Sequence, residues 1–209
     1  MKTETFVVGF LNTNCYLVYD GADAVVIDPG AEAERILARA SELGVKIRYI
    51  FLTHGHFDHT LAVREIKETT GAQLVSTAGE RVRLSDEETS GHTMLRHREF
   101  VPLAADIEVS DGEKMTVGSM TFEFMATPGH TEGSVCIICE DTMFAGDTLF
   151  AGTCGRCDLI GGDISQMMVS LKKIYELADD YRVLSGHGGE TTLARERATN
   201  MYMAEAARR

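Results

Sequence analysis

The hydrophobic and polar positions of this chain follow two alternating patterns, one typical of strands and one typical of amphipathic helices. Short apolar runs predict strands, and the run from Tyr49 to Leu52 is typical of a strand that is buried on both faces. Segments with apolar residues at helical spacing predict helices, and residues 31–43, followed by Gly44, are one of them. Because strands and helices alternate along the chain, the pattern predicts an α/β protein.

The predicted elements leave one long segment unassigned. The predicted strands cover residues 5–8, 14–19, 24–27, 47–53, 73–76, 114–117, 120–126, 134–139, 142–145 and 181–185. The predicted helices cover residues 31–43, 59–69, 164–177 and 192–207. Asp163 is the expected N-cap of the third helix. Residues 83–105 predict a long loop, and we expect its two histidines, His92 and His97, to be exposed.

Composition and charge narrow the class of protein. The chain has 209 residues and no Pro-, Gly- or Ser-rich linker, so we expect a single domain over residues 1–209. A net charge of −12 at pH 7 disfavours a nucleic-acid partner. The N-terminal residues do not resemble a signal peptide, and no run is long and apolar enough to span a membrane. We therefore expect a cytoplasmic protein that acts neither on nucleic acid nor at a membrane.

The cysteines include two CxxC pairs, which raises the question of a zinc ribbon. Cys136 and Cys139 fall in one predicted strand. Residues three apart on a strand face opposite sides, so these two thiols cannot share a metal ion. Cys154 and Cys157 fall in a Gly-rich loop, and an odd total of five cysteines does not predict a disulfide framework.

The segment from Thr53 to His59 carries the densest chemistry of the chain. It reads THGHFDH and places three histidines and an aspartate directly after a predicted buried strand. Imidazole nitrogens and a carboxylate oxygen suit zinc, iron or manganese. Because a strand end holds the side chains beside it in fixed positions, the segment predicts a metal site. Its candidate ligands are His54, His56, Asp58 and His59.

Three further candidate ligands each follow a predicted strand and a glycine. They are His130, Asp147 and His187, in the segments PGHT, AGD and SGHG. A glycine permits a sharp turn and a close approach of the backbone to a ligand. Together with the first segment, these positions bring five of the seven histidines of the chain into one predicted metal site.

This ligand pattern resembles the metallo-β-lactamase superfamily, in which an HxHxDH motif precedes a histidine, an aspartate and a final histidine. The resemblance implies a four-layer αβ/βα sandwich, with two sheets back to back and helices on both outer faces. It also implies that Asp28, in the segment VIDPG, is a buried acid beneath the metal loop that orients ligands through hydrogen bonds. An aspartate before Pro-Gly also suits a simple turn.

The resemblance implies two divalent metal ions, with zinc expected and iron or manganese as alternatives. The implied ligands are His54, His56 and His130 for the first ion, Asp58, His59 and His187 for the second, and Asp147 as a bridge. The nucleophile would be a hydroxide shared by the two ions. Asp58 would orient this hydroxide or take its proton.

The loop after Asp147 resembles that of glyoxalase II and its single-domain bacterial relatives. This resemblance implies a thioesterase for S-lactoylglutathione or a related thioester, with Arg156 holding a substrate carboxylate beside Cys154 and Gly155. Two-domain glyoxalase II enzymes carry a C-terminal helical domain that supplies part of the glutathione site, whereas this chain ends at Arg209 after one predicted helix. We therefore expect weaker or different selectivity for glutathione.

Two other activities of the same superfamily stay open. A persulfide dioxygenase has a similar ligand set and a similar Gly-Cys-Gly-Arg loop but one catalytic iron, so metal count and oxygen uptake would separate it. A lactonase is also compatible with the segment Phe57-Asp58-His59, and a panel of lactones would decide.

Overall fold

The computed structural model describes residues 1–96 and 98–209, and it contains two six-stranded sheets. The first sheet consists of β1 (Lys2–Val8), β2 (Thr13–Asp20), β3 (Asp23–Ile27), β4 (Lys46–Phe51), β5 (Gln73–Thr77) and β6 (Ile107–Val109), in that order. The first three strands pair antiparallel, and β3 to β6 pair in parallel.

The second sheet is mostly antiparallel and contains one parallel pair. Its strands are β7 (Glu113–Val117), β8 (Met120–Ala126), β9 (Val135–Cys139), β10 (Thr142–Gly146), β13 (Arg182–Ser185) and β14 (Thr191–Thr192), in the order β14-β13-β10-β9-β8-β7. The parallel pair is β10 with β13. Between them, β11 (Leu149–Phe150) and β12 (Thr153–Cys154) form a short hairpin.

Helices cover the outer face of each sheet. In chain order the helices are α1 (Ala33–Leu43), α2 (Phe57–Thr60), α3 (Val63–Thr70), α4 (Arg81–Ser85), α5 (Ile164–Tyr175), α6 (Leu193–Thr199) and α7 (Met201–Ala206), of which α2 lies at the edge of the sandwich. One apolar cluster joins the first sheet to α1 and α3, and another joins the second sheet to α5, α6 and α7. A third cluster lies between the sheets, where Phe51 packs edge-on against Phe122 and Phe124 at ring distances of 5.1 Å. The chain therefore has the predicted four-layer αβ/βα sandwich.

The alternation of side chains along single strands agrees with this layering. In β4, Ile50 packs toward the helices and Phe51 toward the other sheet, so this strand is buried on both faces as predicted. In β9, Cys136 belongs to the helix-facing cluster and Cys139 to the cluster between the sheets. The prediction that these two thiols face opposite sides is therefore confirmed.

Two predicted helices are each broken into two. Residues 59–69 form the end of α2 and most of α3, which are separated at Leu61 and Ala62. The last predicted helix divides at Asn200, whose backbone is extended and whose side chain caps α7 by accepting hydrogen bonds from the amides of Tyr202 and Met203. The residue that ends α6 thus also begins α7, with its side chain as the N-cap.

The segment predicted as one long loop contains more structure than expected. It includes most of α4 and a 3₁₀ turn at His92–Met94, and β6 follows it. The expectation that His92 is exposed is wrong, because its side chain is buried and packs edge-on against Phe100 at 5.3 Å. The expectation for His97 lies outside the described residues. Within residues 1–96 and 98–209, no helix is both long enough and apolar enough to cross a membrane.

Candidate metal centre

Four strands, taken from both sheets, bring the candidate ligands to one edge of the sandwich. The first four ligands follow β4, either in the loop after it or in α2. His130 follows β8, Asp147 follows β10 directly, and His187 follows β13. Because β8, β10 and β13 run in the same direction within their sheet, their carboxyl ends meet at this edge.

His54, His56 and His130 form a three-histidine cluster. Their ligand nitrogens lie within 4.8 Å of one another, and all three side chains are buried. The shortest contact joins His56 Nδ1 and His130 Nε2 at 2.9 Å. Three imidazoles at such short range have the spacing of ligands around one metal ion.

Asp58, His59 and His187 form a second cluster, which we call the Asp58 cluster. Its ligand atoms also lie within 4.8 Å of one another. Asp58 Oδ2 is 3.3 Å from His187 Nε2 and 3.5 Å from His59 Nε2. One carboxylate oxygen therefore faces both imidazoles.

Asp147 lies between the two clusters. Its Oδ1 is 3.5 Å from His59 Nε2, and its Oδ2 is 3.6 Å from both His130 Nε2 and His187 Nε2. This single carboxylate thus reaches one histidine of the three-histidine cluster and both histidines of the Asp58 cluster. The arrangement is that expected of a residue that bridges two ions.

The polar atoms at this place fit a bound cation. Among residues 1–96 and 98–209, His54 Nε2, His59 Nε2 and Asp147 Oδ1 are buried without a hydrogen-bond partner. A buried polar atom without a partner is costly, and coordination to a metal ion would satisfy each of these three. The donor set of imidazole nitrogens and carboxylate oxygens is also the one that zinc, iron and manganese accept.

The electrostatics of the site also fit a bound cation. Burial lowers the pKa of His54 well below its usual range and that of His56 to about 2, and neighbouring histidines add to this effect. Both imidazoles are therefore neutral, as ligation requires. Burial also opposes protonation of His59, but three surrounding carboxylates, Asp58 foremost, outweigh it and raise the pKa of His59 to about 10. These carboxylates favour positive charge where a cation would lie.

Asp28 lies beneath the ligand loop, where the resemblance placed a buried acid. It accepts hydrogen bonds from the Thr53 amide at 2.8 Å and from Thr53 Oγ1 at 2.6 Å, and its Oδ2 lies 3.0 Å from His59 Nδ1. Because Nδ1 of His59 contacts Asp28, Nε2 of the same ring faces Asp58 and Asp147. Gly30 allows this close packing, because a Cβ there would lie 1.7 Å from the Asp58 carbonyl oxygen.

The loop after Asp147 contacts the site through its backbone. The Arg156 carbonyl oxygen lies 2.8 Å from His130 Nδ1, and Gly155 is so close to Asp147 that a Cβ would lie 1.7 Å from its carbonyl oxygen. The Arg156 guanidinium is exposed and pairs with Asp158 through two contacts of 2.7 and 2.8 Å. Cys154 packs against the helix-facing cluster, and burial raises the pKa of its thiol to about 11.

Sequence analysis missed several residues that support the ligands. Thr13 Oγ1 donates a hydrogen bond to Asp58 Oδ2 at 2.9 Å, and the Leu11 carbonyl oxygen lies 3.2 Å from His187 Nδ1. Asn14 Nδ2 donates to the carbonyls of Ser185 and Gly188 on either side of His187, at 2.9 Å each. The available signal was the pair Thr13-Asn14 at the start of an otherwise apolar strand, where both side chains are buried.

Comparison with known proteins agrees with the fold. The model of the metallo-beta-lactamase superfamily matches residues 8–187. The chain belongs to the metallo-beta-lactamase superfamily, whose members are generally hydrolytic, and it carries a His/Asp cluster able to bind metal.

Two relatives match along almost their whole length. An uncharacterized protein of Aquifex aeolicus is 37% identical over 210 residues, covering 98% of each chain. Hydroxyacylglutathione hydrolase GloC of Haemophilus influenzae is 31% identical over 210 residues, covering 97% of this chain and 98% of the relative.

Three solved structures share the fold. The BLEG-1 B3 metallo-beta-lactamase has a TM-score of 0.90 at 33% identity, covering 97% of this chain and 99% of that one. TTHA1623 in a di-iron-bound form has a TM-score of 0.85 at 32% identity, covering 95% and 99%. ETHE1 from Myxococcus xanthus has a TM-score of 0.83 at 29% identity, covering 98% and 85%.

Proposed function

We propose that this protein is a binuclear metal-dependent hydrolase of the glyoxalase II type, acting on S-lactoylglutathione or a related thioester. The observation that carries the proposal is the position of Asp147, whose two carboxylate oxygens lie 3.5–3.6 Å from His59, His130 and His187. A carboxylate in this position joins the two clusters into one centre. Binuclear hydrolytic sites need such a group to hold two cations close together.

The proposed ligands follow the two clusters. His54, His56 and His130 would hold the first ion, Asp58, His59 and His187 the second, and Asp147 both. When bound, the two cations would supply a water whose pKa is lowered toward neutrality, and positive charge for the oxyanion that forms during hydrolysis. Zinc is the expected metal, and the di-iron form of TTHA1623 supports iron as an alternative.

The residues of the chain would orient this chemistry. Nδ1 of His130 and of His187 each face a backbone carbonyl oxygen, which fixes Nε2 as the nitrogen that faces the site. Thr13 holds one oxygen of Asp58 by a hydrogen bond of 2.9 Å. We assign Asp58 the role of orienting the attacking water or of accepting its proton.

The substrate class rests on similarity. GloC of Haemophilus influenzae, a hydroxyacylglutathione hydrolase, aligns with this chain over 97% of one and 98% of the other. A single domain over residues 1–209 would then suffice for thioester hydrolysis. The proposed substrate contacts stay Arg156, Cys154 and Gly155. The Arg156 guanidinium would leave its ion pair with Asp158 and pair with a substrate carboxylate instead. The cytoplasmic location expected from the sequence stays a prediction.

Hydrolysis of S-lactoylglutathione by the zinc-loaded protein tests this function. We expect metal-dependent loss of the thioester absorbance, and we expect Asp147→Ala to lose most of the activity because it removes the group shared by the two clusters. A wild-type protein that binds zinc but leaves the thioester intact would contradict the proposed substrate. Turnover of a lactone panel by the same preparation would then support the lactonase.

Persulfide dioxygenase is the second candidate, because its Gly-Cys-Gly-Arg loop also resembles the loop after Asp147. The Cys154-Gly155-Arg156 loop, on which that resemblance rests, lies directly against the site through the Arg156 carbonyl oxygen and His130. One iron per chain together with oxygen uptake on a persulfide would support the dioxygenase. Two ions per chain without oxygen uptake would support the hydrolase.

A further inference from the structure

Glu80 is a buried carboxylate that the proposed chemistry does not use. It ends the 3₁₀ turn Ala78–Glu80 between β5 and α4, and its exposed fraction is 0%. Arg83, also buried, pairs with it at 3.2 Å between Nη1 and Oε2. A buried ion pair contributes little net stability unless hydrogen bonds satisfy its remaining atoms. The partners of these atoms therefore indicate what the pair does.

The Glu80 carboxylate holds both chain segments that carry the three-histidine cluster. Its Oε2 accepts a hydrogen bond of 2.9 Å from the amide of Gly55, which lies between His54 and His56. Its Oε1 accepts from the Gly133 amide at 3.0 Å and from the hydroxyl of Thr131, the residue after His130. One side chain thus joins the loop after β4 to the loop after β8.

Steric contacts fix how closely these loops approach. A Cβ at Gly55 would lie 2.9 Å from Glu80 Oε2, and a Cβ at Gly133 would lie 2.7 Å from Glu80 Oε1. A larger residue at the middle of the HxH segment would therefore push against the Glu80 carboxylate, which occupies the space beside Gly55. Arg83 Nη2 extends the connection by donating to the Ile160 carbonyl at 2.7 Å.

We propose that Glu80 is a positioning residue of the three-histidine cluster, setting the distance between the His54–His56 segment and His130. The inference rests on the proposed function, in which these three histidines hold the first ion. Glu80 touches none of their ring nitrogens, so it acts through the backbone of Gly55 and Gly133 and through Thr131. Groups that orient ligands in this way typically contribute about 10- to 100-fold to metal affinity.

The test is zinc binding by Glu80→Gln, measured by competition with a chromophoric chelator that resolves two dissociation constants. Glu196→Gln is the matched control. Glu196 is also fully buried and accepts hydrogen bonds from Thr191 Oγ1 at 2.6 Å, the Gly152 amide at 2.7 Å and Asn200 Nδ2 at 2.9 Å. We expect Glu80→Gln to weaken one zinc ion by about 10- to 100-fold and to leave the other unchanged. We expect Glu196→Gln to leave both unchanged, even if urea unfolding shows a similar loss of stability.

Double variants assign the weakened ion to its cluster. In a His130→Ala background, Glu80→Gln should cause no further loss, because the site through which it acts is already gone. In a His187→Ala background, the full loss should remain. If Glu80→Gln does not fold, Thr131→Val removes one donor to the same carboxylate and should weaken the same ion.

Two results would overturn the proposal. One is unchanged affinity for both ions in Glu80→Gln, or in Thr131→Val if that variant replaces it. The other is that Glu80→Gln and Glu196→Gln weaken the binding of both zinc ions to the same extent, which would indicate a purely structural role for Glu80. A wild-type protein that binds no zinc would instead overturn the metal centre itself, so the two failures are distinguishable.

Discussion

At the scale of single residues, the atoms behind the ligands decide where the ligands point. His59, His130 and His187 each place Nδ1 near an oxygen, which belongs to a carboxylate in the first case and to a backbone carbonyl in the other two. This contact leaves Nε2 to face the site. The chemistry of the site therefore depends on residues that contribute no ligand atom.

Gly155 offers a test of this dependence. A methyl group there would lie 1.7 Å from the Asp147 carbonyl oxygen and 3.4 Å from His130 Nδ1, so Gly155→Ala must displace the chain around both ligands. We expect zinc binding at least about tenfold weaker than in the wild type. Gly189→Ala is the matched control, because a Cβ at that position meets nothing within 4 Å. Equal zinc affinities for the two variants would show that the close approach of Gly155 is not needed.

The sequence was sufficient to indicate the seven candidate ligands, because they lie in the segments that follow four strands and the ligand types repeat a known order. It was not sufficient to find Thr13 or Glu80. Their importance comes from contacts 45 and 51 residues away, to Asp58 and Thr131, which no local pattern encodes. For Arg156 the sequence indicated the side chain, whereas the group that lies against His130 is the backbone carbonyl.

At the scale of elements, hydrophobic periodicity predicted long strands and helices well and short or interrupted ones poorly. The strand at residues 120–126 has the predicted bounds, since its alternate residues Met120, Phe122 and Phe124 all pack into the cluster between the sheets. The strands β6, β11, β12 and β14 have two or three residues each, which is too few to show a period. Leu193 of α6 and Met203 of α7 pack into the same apolar cluster on either side of the break at Asn200, so periodicity alone does not reveal this break.

The break at Asn200 gives a prediction about stability. The Asn200 side chain caps α7 and also donates to the Thr153 carbonyl at 3.0 Å and to Glu196 at 2.9 Å. Asn200→Ala removes these bonds from a buried position, and we expect a loss of about 2–3 kcal/mol in the free energy of unfolding. Asp163→Ala, which removes the N-cap of α5, is the comparison and should cost less because that residue is only partly buried. Urea unfolding measures both, and a smaller loss for Asn200→Ala than for Asp163→Ala would contradict this account.

The contact between α3 and the start of β6 gives a prediction about pH. Burial raises the pKa of Asp106, but hydrogen bonds from Lys67 and from the Leu74 amide outweigh it, so the pKa of this carboxyl lies below its ordinary value of 3.8. A carboxyl with a lowered pKa stabilises the fold above about pH 3.8 and loses this contribution as the pH falls below that value.

Asp106→Asn should therefore be less stable than the wild type in urea at pH 7, and the difference should shrink as the pH falls below 3.8. Asp179→Asn makes the same change of charge at an exposed position and should show a much smaller difference at pH 7. A difference for Asp106→Asn that stays constant with pH would contradict the assignment.

At the scale of the whole molecule, the metal centre depends on the packing of the two sheets against each other. β4 of the first sheet and β8, β10 and β13 of the second deliver the ligands to one edge. The aromatic contacts of Phe51 with Phe122 and Phe124 fix β4 against β8, and Asn14 ties β2 to the end of β13 and to the loop after it. Because the ligands come from both sheets, bound metal would also hold the sandwich together.

The central claim is that Asp147 joins two clusters into one binuclear centre, and a count of bound zinc ions tests it most directly. Native mass spectrometry of the zinc-loaded protein gives this number for the wild type and for Asp147→Ala. We predict two ions per chain in the wild type and fewer than two in the variant, because Asp147 reaches His59, His130 and His187 at once. Retention of two tightly bound ions by Asp147→Ala, or at most one ion in the wild type, would contradict the account.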